Sequence, residues 1–151
     1  MKKAFTAIVI AGTVSLGGLV AAQRATAPVV EVFKSPTCGC CANWVKHLEA
    51  NGFRTTVTDV EDMSQVKAKY GVPGRLQSCH TAVVNGFVLE GHVPAADVQR
   101  LIKERPAVVG VAVPGMPVGS PGMEVGNTVQ PYSVMTFDKQ GQTTVFASHG
   151  R

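Results

Sequence analysis

The fold is decided by residues 28–48, PVVEVFKSPTCGCCANWVKHL, where a strand pattern gives way to a helix pattern across three cysteines. Residues 28–33 are mostly β-branched and apolar, which is typical of a buried strand. After the cysteines, Trp44 and Leu48 recur at helical spacing. The stretch therefore predicts a strand that leads into a helix, with the three cysteines at the N-terminus of that helix.

The same alternation continues as far as Arg105. The predicted elements are a strand over Phe53–Asp59, a short helix with Asp62 as its cap and Met63, Val66 and Tyr70 on its apolar face, a hairpin of Thr81–Val84 and Phe87–Glu90 around Asn85-Gly86, and a helix that opens at Pro94 and ends before Pro106. This β-α-β-α-β-β-α order is the one used by the thioredoxin-like fold. We therefore expect an α/β domain with a mixed parallel and antiparallel sheet.

The chain changes in character after residue 105. Residues 106–131 are rich in Pro and Gly, and the tripeptide Pro-Gly-Met occurs twice. Two strand patterns then follow, Tyr132–Phe137 and Thr143–Ala147. We expect this tail to be a loop and a hairpin laid over a core of residues 28–105, with residues 23–151 forming a single domain.

The N-terminus is typical of an export signal. Lys2 and Lys3 precede an uncharged apolar run, and small residues follow it, so residues 1–22 are expected to be a signal peptide. Cleavage after Ala22 is preferred to cleavage after Ala27, and an uncleaved anchor helix is the alternative. Removing the two lysines lowers the formal net charge of +4 by two. The remaining charges form no basic block, so nothing supports nucleic-acid binding.

The cysteines Cys38, Cys40 and Cys41 are expected to bind a soft metal ion. A helix N-terminus stabilises anions and therefore thiolates, and thiolates select monovalent copper or zinc over hard ions. Two alternatives remain. Cys38 and Cys41 have the C-x-x-C spacing of a redox pair, and the four cysteines of the chain could form two structural disulfides, Cys38–Cys41 and Cys40–Cys79.

Further soft ligands are expected from three other segments. Cys79 and His80 precede the third strand, which in a thioredoxin-like fold approaches the helix-start cysteines. Met116 and Met123 are thioether donors on irregular loops, although flexible packing residues are the alternative. The remaining candidates are ranked lower: His92 stands below His80, His47 and His149 are expected to be exposed, and Met63, Met135 and Trp44 are expected to pack.

Several motifs together resemble the CopG-type copper-resistance proteins, which are small periplasmic proteins. The motifs are Thr37-Cys38-Gly39-Cys40-Cys41 with Trp44, Gly71-Val72-Pro73, Ser78-Cys79-His80-Thr81-Ala82, Gly91-His92-Val93-Pro94-Ala95, Ala112-Val113-Pro114-Gly115-Met116-Pro117 and Gly119-Ser120-Pro121-Gly122-Met123-Glu124. The resemblance implies a thioredoxin-like fold, copper binding through the cysteines and a role in bacterial copper tolerance. It also makes redox cycling of the bound copper an expectation to test.

The sequence therefore predicts a periplasmic protein that holds Cu(I), with more than one ion bridged by the thiolates and other periplasmic copper-handling proteins as partners. A thiol–disulfide oxidoreductase is the alternative. Against it, Cys79-His80 stands where thioredoxins place a cis-proline, and Cys40 could divert a mixed disulfide. A structural zinc site is the third interpretation.

Overall fold

The computed structural model describes residues 27–150, so the predicted signal peptide, residues 1–22, and the preferred cleavage site after Ala22 lie outside the described residues. The strands are β1 (Val29–Lys34), β2 (Arg54–Asp59), β3 (Thr81–Val84), β4 (Phe87–Glu90), β5 (Gly110–Ala112), β6 (Tyr132–Phe137) and β7 (Thr143–His149). The helices are α1 (Gly39–Ala50), α2 (Met63–Lys69) and α3 (Ala95–Glu104), with a 3-10 turn at Gly74–Leu76.

These strands form one seven-stranded sheet in the order β2-β1-β3-β4-β5-β6-β7. β1 and β2 are parallel because α1 carries the chain back between them, whereas β3 pairs antiparallel with both β1 and β4. The expected α/β, thioredoxin-like fold is confirmed. As a consequence, the C-terminal end of β1 lies beside the N-terminal end of β3. The cysteines that follow β1 are thereby brought towards Cys79, which precedes β3.

The predicted C-terminal hairpin is present as β6 and β7, but its placement differs from the prediction. β5 pairs parallel with β4, and β6 and β7 continue the sheet, so the tail extends the sheet and is not laid over it. The sequence pattern missed β5 because it has only three residues and begins with a glycine. Gly110 is required there, since a Cβ would lie 2.0 Å from the carbonyl oxygen of Val88.

Helix α1 fixes the direction of the cysteine segment. Its buried face includes Cys41, Trp44 and Leu48, all fully excluded from solvent, as their helical spacing predicts. Cys38 is the N-cap residue, and its carbonyl accepts from the amide of Ala42 at 3.2 Å. The apolar face therefore holds the helix against the sheet while Cys38 and Cys40 stay at its partly exposed first turn.

The remaining helices follow their predicted signals. Asp62 caps α2 by accepting from the amide of Ser64, and α3 starts directly after Pro94. Arg105, the C-cap residue of α3, has a left-handed backbone conformation and directly precedes Pro106. Among the described helices, none combines the length and apolar character that a membrane span needs.

Candidate metal centre

The first part of the site is the turn that carries Cys38, Cys40 and Cys41. Cys38 and Cys41 form a disulfide, whereas Cys40 and Cys79 are free thiols. The Sγ atoms of Cys38 and Cys40 are 3.5 Å apart. Of the two disulfides considered as the structural alternative, the structure contains Cys38–Cys41 and lacks Cys40–Cys79. Two of the four predicted cysteine ligands, Cys38 and Cys41, are therefore available only after reduction.

Cys79 is the residue that joins the two halves of the site. Its Sγ atom lies with those of Cys38, Cys40 and Cys41 in one group whose members are all within 4.8 Å of one another. The same sulfur belongs to a second such group with the imidazoles of His80 and His92. Burial, together with the neighbouring Cys40, raises the pKa of the Cys79 thiol to about 11. Cys79 is therefore a neutral thiol at neutral pH, and a metal ion that bound to it would have to displace its proton.

His92 is held in the tautomer that a metal ligand needs. Its Nδ1 lies 2.8 Å from the carbonyl oxygen of Pro121. Because a carbonyl can only accept, Nδ1 carries the proton and Nε2 keeps its lone pair. That Nε2 atom is 3.0 Å from Cys79 Sγ, and burial lowers the pKa of His92, which keeps the imidazole neutral.

His80 is the other imidazole of this group. Its Nδ1 atom lies 3.3 Å from Cys79 Sγ, and its ring packs against Trp44 with centroids 4.3 Å apart. The residue is fully buried, and its Nε2 atom has no hydrogen-bond partner among the described residues. Burial lowers the pKa of His80 well below its usual value, and the neighbouring His92 and Lys67 also oppose its protonation. His80 is accordingly a neutral ring with an uncommitted nitrogen.

The structure places His92 beside Cys79 together with His80, although the sequence ranked His92 lower. Both rings contact Cys79, and the nitrogen of His92 is the nearer one. The sequence could not show this, because the orientation of His92 depends on the Pro121 carbonyl, 29 residues further along the chain. The His92-Val93-Pro94 motif after a strand was the available signal.

The second Pro-Gly-Met segment packs directly on the start of α1. A Cβ at Gly122 would lie 2.7 Å from the Cys40 carbonyl oxygen and 2.8 Å from the Trp44 amide nitrogen. Only glycine fits so close an approach, and its φ of +85° is also one that glycine adopts readily. Met123, which follows and is partly buried, is thereby held near the cysteine turn.

The first Pro-Gly-Met segment borders the site from the Cys79 side. The hydroxyl of Ser78 donates to the carbonyl of Gly115, and the amide of Gly115 donates to Gln77 at 3.4 Å. Met116 is 52% exposed, so its thioether is accessible from solvent. Ligation by Met116 or Met123 stays a prediction.

Two histidines expected to be exposed are not. His47 is half-buried, and its Nε2 accepts from the Ala95 amide at 3.1 Å, which ties α1 to the start of α3. His149 lies 2.6 Å from the carboxylate of the buried Asp97 and stacks on Tyr132. Both contacts join elements that are distant in sequence, so the local pattern gave no sign of them.

A buried ion pair lies next to the site, and the sequence did not predict it. Lys67 Nζ and Glu90 Oε1 are 2.6 Å apart, and both side chains are almost fully excluded from solvent. Burial raises the pKa of the Glu90 carboxyl, while Lys67, Thr81 and the Ser78 amide favour its charged form. Lys67 and Glu90 are 23 residues apart in the sequence, so no local pattern linked the two charges.

The donor set has a definite chemical preference. Four cysteine sulfurs and two neutral imidazoles converge, and carboxylates are absent from both groups of ligand atoms found among residues 27–150. Such a set fits copper or zinc and not magnesium or calcium. The reduced form would offer four thiolates, whereas the disulfide form offers Cys40, Cys79 and the two imidazoles.

Comparisons with known proteins agree with this chemistry. The family model described as "Protein of unknown function, DUF411" matches residues 76–123, which include Cys79, His80 and His92. The solved structure "Copper resistance protein copG- Form 2" has a TM-score of 0.79 and 50% identity, covering 82% of this chain and 99% of that chain. "Copper resistance protein copG- Form 1" has a TM-score of 0.77 and 50% identity, covering 82% and 98%. No curated protein matches the chain. At this identity and coverage, the chain belongs to the CopG family of copper-resistance proteins.

Proposed function

We propose that this protein binds Cu(I) as its cargo in the periplasm, after removal of residues 1–22, and thereby contributes to copper tolerance. The proposed ligands are the four cysteines with the neighbouring imidazoles and, on the two loops, the thioethers: Cys38, Cys40, Cys41, Cys79, His80, His92, Met116 and Met123. Residues 23–151 act as one domain in this proposal. Other periplasmic copper-handling proteins are its proposed partners.

The observation that carries the proposal is the shared position of Cys79. The Cys79 sulfur belongs both to the four-cysteine group and to the group with two imidazoles, and the ligand atoms within each group lie within 4.8 Å of one another. A thiolate in that position can bridge two metal ions. The reduced site therefore suits more than one Cu(I), because thiolates are both soft donors and effective bridges. The structures named for copper resistance support copper over zinc.

The test is a Cu(I) titration of the reduced protein against a chromogenic Cu(I) chelator. We expect the reduced wild type to bind Cu(I) tightly. Loss of a residue that only orients a ligand commonly lowers metal affinity by about 10–100-fold, and we expect Cys79→Ser to lower the Cu(I) affinity by more than that. Excess zinc should not displace the copper. Absence of binding by the reduced wild type, or an unchanged affinity in Cys79→Ser, would contradict the proposal.

The methionines are tested in the same titration with a matched control. Met116→Leu and Met123→Leu remove a thioether at similar volume, and Met135→Leu makes the same change on β6, where the side chain packs in the apolar core. Lower Cu(I) affinity in the first two variants and not in the third would support ligation. Equal affinities in all three would assign Met116 and Met123 to packing.

A second candidate, thiol–disulfide exchange, is favoured by the Cys38–Cys41 disulfide at the start of α1. Cys38 is partly exposed and Cys41 is buried, as an attacking and a resolving cysteine would be. Metal-free protein should then reduce insulin with a thiol reductant, and Cys38→Ser should abolish the turnover. Negligible turnover by the metal-free wild type would leave copper binding as the function.

A further inference from the structure

A single buried carboxylate lies where the segments that carry the proposed ligands meet. Glu90 is the last residue of β4 and is completely excluded from solvent. Its Oε1 atom accepts from Lys67 Nζ at 2.6 Å and from the Ser78 backbone amide at 2.6 Å. Its Oε2 atom accepts from the Thr81 hydroxyl at 2.6 Å.

These contacts hold both ends of the Cys79-His80 dipeptide. Ser78 directly precedes Cys79 and Thr81 directly follows His80, so the dipeptide is fixed to one carboxylate from both sides. His92 follows Glu90 by two residues, and the Gly91 amide between them donates to the His80 carbonyl at 3.0 Å. Glu90 is therefore linked through neighbouring residues to the segments that carry Cys79, His80 and His92.

Stability alone gives a weak reason for this arrangement. A buried ion pair loses the hydration of both charges, and apolar side chains of similar volume often stabilise a fold as well or better. The geometric consequence is more specific, because a carboxylate with three charge-assisted hydrogen bonds has little freedom to move.

We propose that Glu90, held by Lys67, is a positioning residue that keeps Cys79 and His80 in metal-binding geometry by clamping Ser78 and Thr81. This inference rests on the proposed copper site and adds a residue that does not itself touch the metal. Such outer partners orient ligands and commonly change metal affinity when they are lost.

Two double variants separate positioning from charge. Lys67→Met with Glu90→Gln removes both charges but keeps an oxygen that can accept from the Ser78 amide. Lys67→Met with Glu90→Leu also removes both charges and leaves that amide without an acceptor. A third variant, Leu101→Ala, destabilises the fold from the buried face of α3 without touching the clamp.

We expect the Gln double variant and Leu101→Ala to keep wild-type Cu(I) affinity, whereas the Leu double variant should lose about 10–100-fold in affinity. Titrations are made well below the melting temperature of every variant. Equal affinities in the two double variants would overturn the inference, whether both were retained or both were lost. An equal loss in Leu101→Ala would also overturn it, because the effect would then be general destabilisation.

A metal-free measurement keeps this result separate from the copper proposal. In a Cys40→Ser background with the Cys38–Cys41 disulfide intact, Cys79 is the single free thiol, so its alkylation rate reports on its surroundings. The rate should rise several-fold in the Leu double variant and stay unchanged in the Gln one. If the wild type bound no copper, this difference would still support the clamp, and its absence would refute it.

Discussion

At the residue scale, the site depends on three side chains that burial keeps neutral. Burial raises the pKa of Cys79 and lowers that of His80 and His92, so the ligand atoms carry no repelling charges before metal arrives. The grouping of Cys38, Cys40 and Cys41 on one turn could be predicted from their density in the sequence. The orientation of the His92 ring could not be predicted, because it depends on a hydrogen bond to the Pro121 carbonyl in the 119–124 loop, which is distant in the sequence.

The lowered pKa of His80 predicts a pH-dependent fold in the metal-free protein. In the unfolded chain this imidazole takes up a proton near the ordinary histidine pKa of 6.5, whereas in the folded protein the lowered pKa keeps it neutral well below that pH. Protonation therefore favours the unfolded state, and the free energy of unfolding should fall below pH 6.5 by about 1.4 kcal/mol per pH unit for this group.

Denaturant unfolding at a series of pH values measures that slope, and His80→Phe supplies the comparison. The free energy of unfolding of the variant should fall less steeply below pH 6.5. The difference between the two slopes should correspond to the uptake of about one proton on unfolding. Equal slopes for the two proteins would show that His80 does not carry the effect. The slopes decide the test, because the variant also changes the contact with Cys79.

At the element scale, the start of α1 and the 119–124 loop form one unit. The end of β1 and the position of α1 follow from the alternation of sequence patterns, and both were predicted within one residue or two. The packing of the 119–124 loop against α1 was not predicted. It depends on a close backbone approach between residues about 80 positions apart in the sequence, which only a glycine at position 122 permits. The Pro-Gly-Met repeat signalled a loop without showing where it packs.

Gly122→Ala should separate these two elements. The left-handed conformation costs an alanine about 1–2 kcal/mol, and the clash with the Cys40 carbonyl adds about 1–3 kcal/mol of overpacking. We expect a loss of about 2–5 kcal/mol in the free energy of unfolding and weaker Cu(I) binding.

Gly115→Ala is the matched control for this change. Gly115 also has a positive φ, of +68°, but no atom lies within 4 Å of the added Cβ. Its cost should be limited to the conformational term of about 1–2 kcal/mol. Similar losses in both variants, measured by urea unfolding, would show that the loop does not depend on the contact with α1.

At the scale of the whole molecule, the sheet includes the tail. β6 and β7 extend the sheet through β5, and Phe137 on β6 is completely buried with Val88, Ala112 and Leu76. The order of the first seven elements could be predicted, since each has a clear period and turn signals. The joining of the tail to the sheet could not, because β5 is too short to show a period.

Phe137→Ala tests whether the tail is part of the core. The loss of a fully buried aromatic side chain should lower the free energy of unfolding by about 3–5 kcal/mol in a single transition. Val145→Ala on β7 truncates a side chain that is 60% exposed and should change it by no more than about 0.5 kcal/mol. A separate early transition for β6 and β7 would mean that the tail folds independently.

The central claim is that Cys79 binds copper together with the helix-start cysteines. The most direct measurement is alkylation of each cysteine in the reduced protein, with and without Cu(I), followed by mass spectrometry of the peptides. The account predicts that Cu(I) protects Cys79 together with Cys38, Cys40 and Cys41. Alkylation of Cys79 at the same rate with and without Cu(I) would contradict it.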